Sequence, residues 1–251
     1  MADKVALVTG AGKRIGRAIA LGLGRAGWRV IVHYNSSDET ARAVRDEIRD
    51  AGGHADLAGF DLEDVEAARA FISDIGIVHA LINNASVFEA DTPQDVAPDQ
   101  FLTHLKVNLM APVLLASEMA KAHTERASGC VINLLDQKLF ALNPDHFSYT
   151  LSKYALLGAT KTMAMSLAPA VRVNAIAPGL TLPAPGQSDA QFEKAHRMNP
   201  MQGGAEPEDH ARAVEFILAT PSMTGQVITI DGGEHLSQRQ RDVSYLVGDE
   251  D

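Results

Sequence analysis

Short apolar runs alternate with helix-spaced segments along almost the whole 251-residue chain, and this alternation constrains the fold more than any other feature. Candidate strands occupy 5–9, 29–34, 54–60, 78–83, 129–135, 172–176 and 226–230. Several are apolar without interruption, as strands covered on both faces require. Between them, helical spacing covers 15–26, 38–51, 65–75, 99–123, 148–168 and 207–219. A strand–helix alternation of this kind predicts an α/β fold with a doubly wound, parallel sheet and helices on both faces. One domain over residues 1–236 is expected, followed by a polar tail over 237–251 that ends in acidic residues.

Two stretches break the rhythm. Residues 178–206 are rich in Pro and Gly and follow the carboxyl end of a strand, where such sheets bind ligands, so a substrate lid is expected there. The tail reads as a frayed end or an oligomer contact.

The net charge of −10 argues against broad binding to nucleic acids or anionic membranes. No apolar stretch reaches transmembrane length, and Met1-Ala2-Asp3-Lys4 runs straight into the first strand, so neither a membrane span nor a signal peptide is expected. The single cysteine, Cys130, lies in an apolar run and reads as a core residue. A cytoplasmic protein acting on a small molecule is the expectation, without a metal site.

The first strand leads into Thr9-Gly10-Ala11-Gly12-Lys13-Arg14-Ile15-Gly16. Glycines at a strand-to-helix turn let the backbone approach a pyrophosphate, and the free N–H groups of the helix start face it. The spacing G-x-G-x-x-x-G is one residue longer than the common dinucleotide fingerprint. The second strand ends in His33-Tyr34-Asn35-Ser36-Ser37, with no acidic residue before Asp38 to grip a ribose 2′-hydroxyl. Lys13 and Arg14 supply charge and Ser36 and Ser37 supply donors, a set that favours a 2′-phosphate and hence NADPH. Asp61, before Leu62, reads either as an acceptor for the adenine amino group or as a cap for the next helix. Asn84 and Ala85 at the end of the fourth strand should lie beside the cofactor.

Tyr149 and Lys153 are four residues apart in a helical segment and share one face. An ammonium beside a phenol stabilises the phenolate. Asn108 lies four residues before Pro112, which has no N–H for the Asn108 carbonyl; the carbonyl is then free to bind a water.

These pieces, with Asn174 and Pro178-Gly179, resemble the short-chain dehydrogenase/reductase family over about residues 4–236. The resemblance implies a Rossmann-type, seven-stranded sheet. It implies Tyr149 as acid/base, Lys153 as its partner, Asn108 in a proton relay, and a homotetramer packed through the two long helices. It assigns the dinucleotide to Gly10, Lys13, Arg14, Ile15 and Gly16; to His33, Tyr34, Asn35, Ser36 and Ser37; to Asp61 and Leu62; to Asn84, Ala85 and Ser86; and to Tyr149, Lys153, Pro178 and Gly179.

One position departs from the family. Thirteen residues before Tyr149, where a Ser is usual, stands Asp136. A carboxylate there opposes phenolate formation and favours a protonated Tyr ready to donate, which suits reduction. With the Lys13-Arg14 pair, His33-Tyr34, Ser37 and Asn84-Ala85-Ser86-x-Phe88, this Asp resembles the pteridine and dihydromonapterin reductases. That resemblance implies that Phe88 stacks on a pterin, that Arg14 reaches pterin and phosphate, and that Asp136 and Tyr149 meet the substrate. The leading expectation is an NADPH-dependent reductase of pterin-like or similar conjugated substrates. A general 3-oxoacyl-type carbonyl reductase and a non-catalytic cofactor sensor are the alternatives. The basic turn predicts a catalytic efficiency at least tenfold higher with NADPH than with NADH; steady-state kinetics with both cofactors check it.

Overall fold

The computed structural model describes residues 4–126, 128–184 and 186–247. Seven parallel strands form one sheet in the order β3-β2-β1-β4-β5-β6-β7. They are β1 Val5–Val8, β2 Arg29–Tyr34, β3 His54–Gly59, β4 Ala80–Asn83, β5 Gly129–Leu134, β6 Val171–Pro178 and β7 Val227–Ile230. The apolar runs make this sheet because both faces are covered. Leu7, Leu81 and Val131 pack on one face with Leu115 and Met119, whereas Ala6, Val8, Ile82 and Ile132 pack on the other with Ile19, Val214 and Ile217. Register is simple: Leu7 lies level with Leu81, Leu81 with Val131 and Val131 with Val173.

The helices are α1 Arg14–Arg25, α2 Asp38–Asp50, α3 Val65–Asp74, α4 Pro98–Leu105, α5 Ala111–Ala120, α6 Phe147–Ser166, α7 Asp189–His196 and α8 Pro207–Ala219. Small residues bring some of them close. A Cβ at Gly22 would meet Ala211 and Glu215, so α1 lies tightly against α8. The chain reverses its direction of winding between β1 and β4, and ligands bind beyond the carboxyl ends of the strands at such a switch point.

Three expectations change. The single helix expected over 99–123 is three pieces: α4, a π-helical turn at Lys106–Met110, and α5. The Ala111 N–H bonds the Lys106 carbonyl, an i to i+5 contact. Pro112 cannot donate to Asn108, and the wider turn is the local solution. Second, the region 178–206 holds a helix, α7, started by a capping box in which Ser188 accepts from the Gln191 N–H. Polar residues dominate α7, which hid its one buried residue, Ala195.

Third, residues 237–247 do not stand off the domain. Val243 and Val247 are buried in a cluster with Ala195, flanked by Leu180 and Met198. The few apolar residues in a mostly polar stretch turn inward. Residues 248–251 lie outside the described residues. Among the described residues no helix is long and apolar enough to cross a membrane.

Leu81 is fully buried in the central strand. Leu81→Ala should lower unfolding free energy by about 2–5 kcal/mol; urea denaturation followed by circular dichroism measures it.

Candidate active site

The glycine turn after β1 is built from below. Gly10 has φ +63°, a left-handed conformation that glycine adopts without strain. Its N–H donates to Nδ1 of His33 at 3.1 Å, and Nε2 of the same ring bonds the Phe60 carbonyl at 3.0 Å. Nδ1 must therefore be bare and Nε2 protonated. Burial pushes the His33 pKa down to about 4, which keeps this neutral tautomer. His33 is 1% exposed. It supports the turn from beneath instead of presenting a side chain at its surface, which revises its expected place among the direct cofactor contacts.

Thr9 and Asn84 join the ends of β1 and β4. The Thr9 hydroxyl accepts from the Asn84 and Ala85 N–H groups at 2.9 and 3.0 Å, and Asn84 Nδ2 donates to the Thr9 carbonyl at 2.8 Å. A Cβ at Gly16 would overlap the Gly10 carbonyl and the Asn84 amide, and one at Gly12 would press on Thr40. The turn is thus a cradle that admits no side chain at Gly12 or Gly16. Helix α1 begins with no side-chain cap and no acidic residue in its first turn. Its orphan N–H groups suit an anion, so the residues present fit a dinucleotide pyrophosphate.

The other expected cofactor residues surround this cradle. Lys13, Asn35 and Ser36 are exposed. Ser37 precedes α2, and Tyr34 closes on Gly59, where a Cβ would strike its ring. Leu62 is buried. Asp61 accepts from the Glu63 N–H at 2.9 Å in the turn before α3, but the cap of that helix is Asp64, which accepts from the Ala67 N–H, so Asp61 is not the helix cap. Gly179, after Pro178, leaves no room for a Cβ against Asp231. Ile15 packs against the core, partly buried. Arg14 differs from expectation: its guanidinium donates to the Pro183 and Leu182 carbonyls at 2.7 and 3.2 Å and ties the turn to the segment after β6.

The candidate reactive groups meet beyond β5. Helix α6 carries Tyr149 and Lys153, both buried. The Tyr149 hydroxyl donates to Oδ2 of Asp136 at 2.6 Å. The other oxygen, Oδ1, accepts from the Lys138 N–H at 2.8 Å and caps the short turn Gln137–Phe140. Asp136 therefore caps the strand end and faces Tyr149 at once; it does not point to solvent. Burial raises its proton affinity against the Tyr149 hydrogen bond, and burial together with the Asp136 charge pushes the Tyr149 pKa well above its usual value. Lys153 lies 5.6 Å from the Tyr149 ring centre and donates to the Leu134 carbonyl at 2.7 Å. Burial brings its pKa down to about 8. The Lys–Tyr spacing alone suggested a stabilised phenolate, but with Asp136 beside it the phenol keeps its proton.

Phe88 stands at the mouth, 51% exposed. Its ring stacks on His146 at 4.0 Å and 21°, and meets Tyr149 edge-on at 4.7 Å. The loop that carries it is held at several points. Asn108 accepts from Ser86 Oγ at 3.1 Å and the Val87 N–H at 2.9 Å, and donates to the Val87 carbonyl and to Ser152 at 3.0 Å each. The buried Asp91 accepts from the Ser148 N–H at 3.0 Å and from its hydroxyl, at the start of α6. His104 accepts from the Glu89 N–H at 3.3 Å. Sequence reasoning found Asn108 but missed Asp91, His104, His146 and Lys138, since each is recognisable only by what lies across from it. Asn174 binds the loop before β7, donating to the Met223 carbonyl and accepting from the Gln226 N–H. Cys130 is buried, its thiol pushed up to about 11, and it is inert packing.

Comparison with known proteins decides the family: the short chain dehydrogenase model matches residues 4–194. The chain belongs to the short-chain dehydrogenase family. Among solved structures, FolM alternative dihydrofolate reductase 1 from Brucella canis, complexed with NADP, is 42% identical, covers 96% of this chain and 97% of its own, and superposes with a TM-score of 0.89. The Brucella suis enzyme of the same name, also with NADP, is 40% identical, with coverage of 94% and 96% and a TM-score of 0.88. Among curated relatives, the 3-oxoacyl-[acyl-carrier-protein] reductase FabG of Staphylococcus epidermidis is 31% identical over 244 residues, 93% of this chain and 100% of its own length. This short-chain dehydrogenase therefore has whole-chain relatives of two substrate types.

Asp91 is 6% exposed and satisfies the Ser148 donors at the start of α6. Asp91→Ala leaves the Ser148 N–H unpaired and should cost about 1–3 kcal/mol, with a rise in substrate KM from the released Phe88 loop; thermal unfolding and steady-state kinetics check the two effects.

Proposed function

We propose that this protein is an NADPH-dependent reductase of pterin-like or similarly flat, conjugated small molecules. The observation that carries the reading is the 2.6 Å contact between the Tyr149 hydroxyl and the Asp136 carboxyl group beneath the exposed ring of Phe88. When bound, the nicotinamide supplies the hydride. The chain's own residues supply the proton and the platform.

Tyr149 donates its hydroxyl proton to the nitrogen or oxygen that gains electron density. Asp136, in its protonated form, returns a proton to the phenol oxygen. The buried Lys153 ammonium steadies the phenolate while it is short of that proton. A water on the main-chain carbonyl of Asn108 completes the route to solvent. Acid assistance of this kind is worth roughly 10²–10⁴ in rate. Phe88 offers a face for a planar heterocycle. Arg14 ties the glycine turn to the segment after β6 through two main-chain carbonyls, a contact that movement of that segment would release.

The second reading, a 3-oxoacyl-type carbonyl reductase, is favoured by the full-length likeness to FabG. Against a cofactor sensor stands the complete set of Tyr149, Lys153 and Asn108. The working assembly is proposed as a homotetramer in the cytoplasm. Exposed Leu102, Met110, Leu151 and Met165 on and between α4, α5 and α6 give the long-helix faces apolar contact area.

NADPH oxidation measured across dihydropterins and β-ketoesters separates the readings. Turnover of dihydropterins at the higher kcat/KM is expected. Asp136→Ser should lower that value by roughly 10²-fold and Tyr149→Phe by at least as much. Unchanged pterin reduction in Asp136→Ser, or preference for β-ketoesters, would discard the pterin reading.

A further inference from the structure

The segment after β7 returns to the reactive groups, and the chemistry proposed for Tyr149 and Asp136 makes no use of it. Its route is fixed by specific contacts. Arg241 Nε lies 2.9 Å from both carboxylate oxygens of Asp145, and the Asp242 N–H donates to Oδ2 of Asp145 at 2.7 Å. The Arg241 guanidinium also lies 4.9 Å from the Tyr245 ring centre. Val243 and Val247 anchor the far side. These contacts deliver the Asp242 carboxylate to 3.7 Å from the Lys138 ammonium.

Lys138 is unusual. It is 2% exposed, two residues from Asp136, and its ammonium donates to the Asp145 carbonyl. A buried cation needs compensation. Asp242 supplies it from the C-terminal segment. We propose that this segment is a working part of the reactive site, in which Asp242 and Lys138 form an opposed charge pair that sets when Asp136 gives up its proton.

Both members act as positioning residues. The titratable groups facing Asp136 are Tyr149 and Lys153 from α6, Lys138 from the turn after β5, and Asp242 and Glu234 from the C-terminal part of the chain. The Asp242 charge raises the proton affinity of both Asp136 and Tyr149. Asp136 in turn raises that of Lys138, so by reciprocity the Lys138 ammonium favours the Asp136 carboxylate. The two influences oppose, and the pair leaves Asp136 balanced between them. A chain ending before residue 242 would lack that anion and leave Asp136 and Asp145 as the carboxylates acting on Lys138.

The inference rests on Asp136 as the group that re-protonates Tyr149. A reductase of that kind loses kcat/KM as pH rises through the Asp136 pKa, because the neutral acid is the active form. Asp242→Asn removes the anion, favours ionised Asp136 and should move this loss to lower pH. Lys138→Met removes the cation and should move it to higher pH. Shifts of about one pH unit in opposite directions are expected, each a tenfold change in the ratio of neutral to ionised Asp136. The measurement is kcat/KM against pH for the full chain with NADPH and a dihydropterin, alongside NADPH affinity by fluorescence.

A purely structural role would lower activity without moving the limb, or move it the same way in both variants, and either result overturns the proposal. Asp242→Asn is isosteric at a side chain 21% exposed, so it decides alone if Lys138→Met fails to bind NADPH. A limb that stays at the same pH in Asp136→Ser, and so belongs to Lys153 or Tyr149, overturns the reading of Asp136 itself. A limb that vanishes in Asp136→Ser yet stays in place in Asp242→Asn overturns only the role of the C-terminal segment.

Discussion

The hydrogen bond between Tyr149 and Asp136 is the contact on which the site depends. It joins the end of β5 to the first turn of α6 and puts a buried phenol and a partly buried carboxyl group 2.6 Å apart. In such a place charge is costly: the Asp136 charge favours the neutral phenol, whereas the Tyr149 hydroxyl, as donor, favours the carboxylate, and burial outweighs it. The phenol keeps its proton, and the carboxyl group holds one more readily than in water. A Ser in place of Asp136 would supply a hydroxyl but no titrating acid. The consequence is a site arranged to give protons away.

The neighbouring structure serves that pair. The sheet places the ends of β1, β4 and β5 side by side, so the glycine turn, the Asn84 weld and Asp136 share one edge. The loop after β4 is tied to Asn108, His104 and the start of α6, which holds Phe88 over Tyr149. The π-helical turn around Asn108 lets a helix interrupted by Pro112 continue while its side chain spans Val87 and Ser152. Functional groups gather where regular geometry gives way, at a π turn, at left-handed Gly10, and at His146 with φ +53°.

Much of this was legible in the residues. Continuous apolar runs announced buried parallel strands, and helical spacing announced what lay between them. Tyr149, Lys153 and Asp136 were readable because two of them share a helix face and the third closes a strand. The misses have a common cause. Five of the eight residues of α7 are polar, so periodicity had little to show. His33 stood among the cofactor contacts that the family resemblance implies, but alternation along β2 turns its ring beneath the turn. Residues 237–247 read as a loose tail because composition counts charges without knowing their partners. Arg241 meets Asp145 across 96 positions, and Lys138 meets Asp242 across a comparable distance.

By itself, the sequence determined the doubly wound sheet, the glycine turn that fits a dinucleotide and the chemical identity of the groups proposed to react. Local spacing and side-chain type suffice for these, because strand period, helix period and glycine turns act over a few residues. Tertiary structure alone decided which charges oppose one another. Electrostatic influence depends on distance through a weakly screened interior, and only the folded chain brings Asp242, Lys138 and Asp136 together.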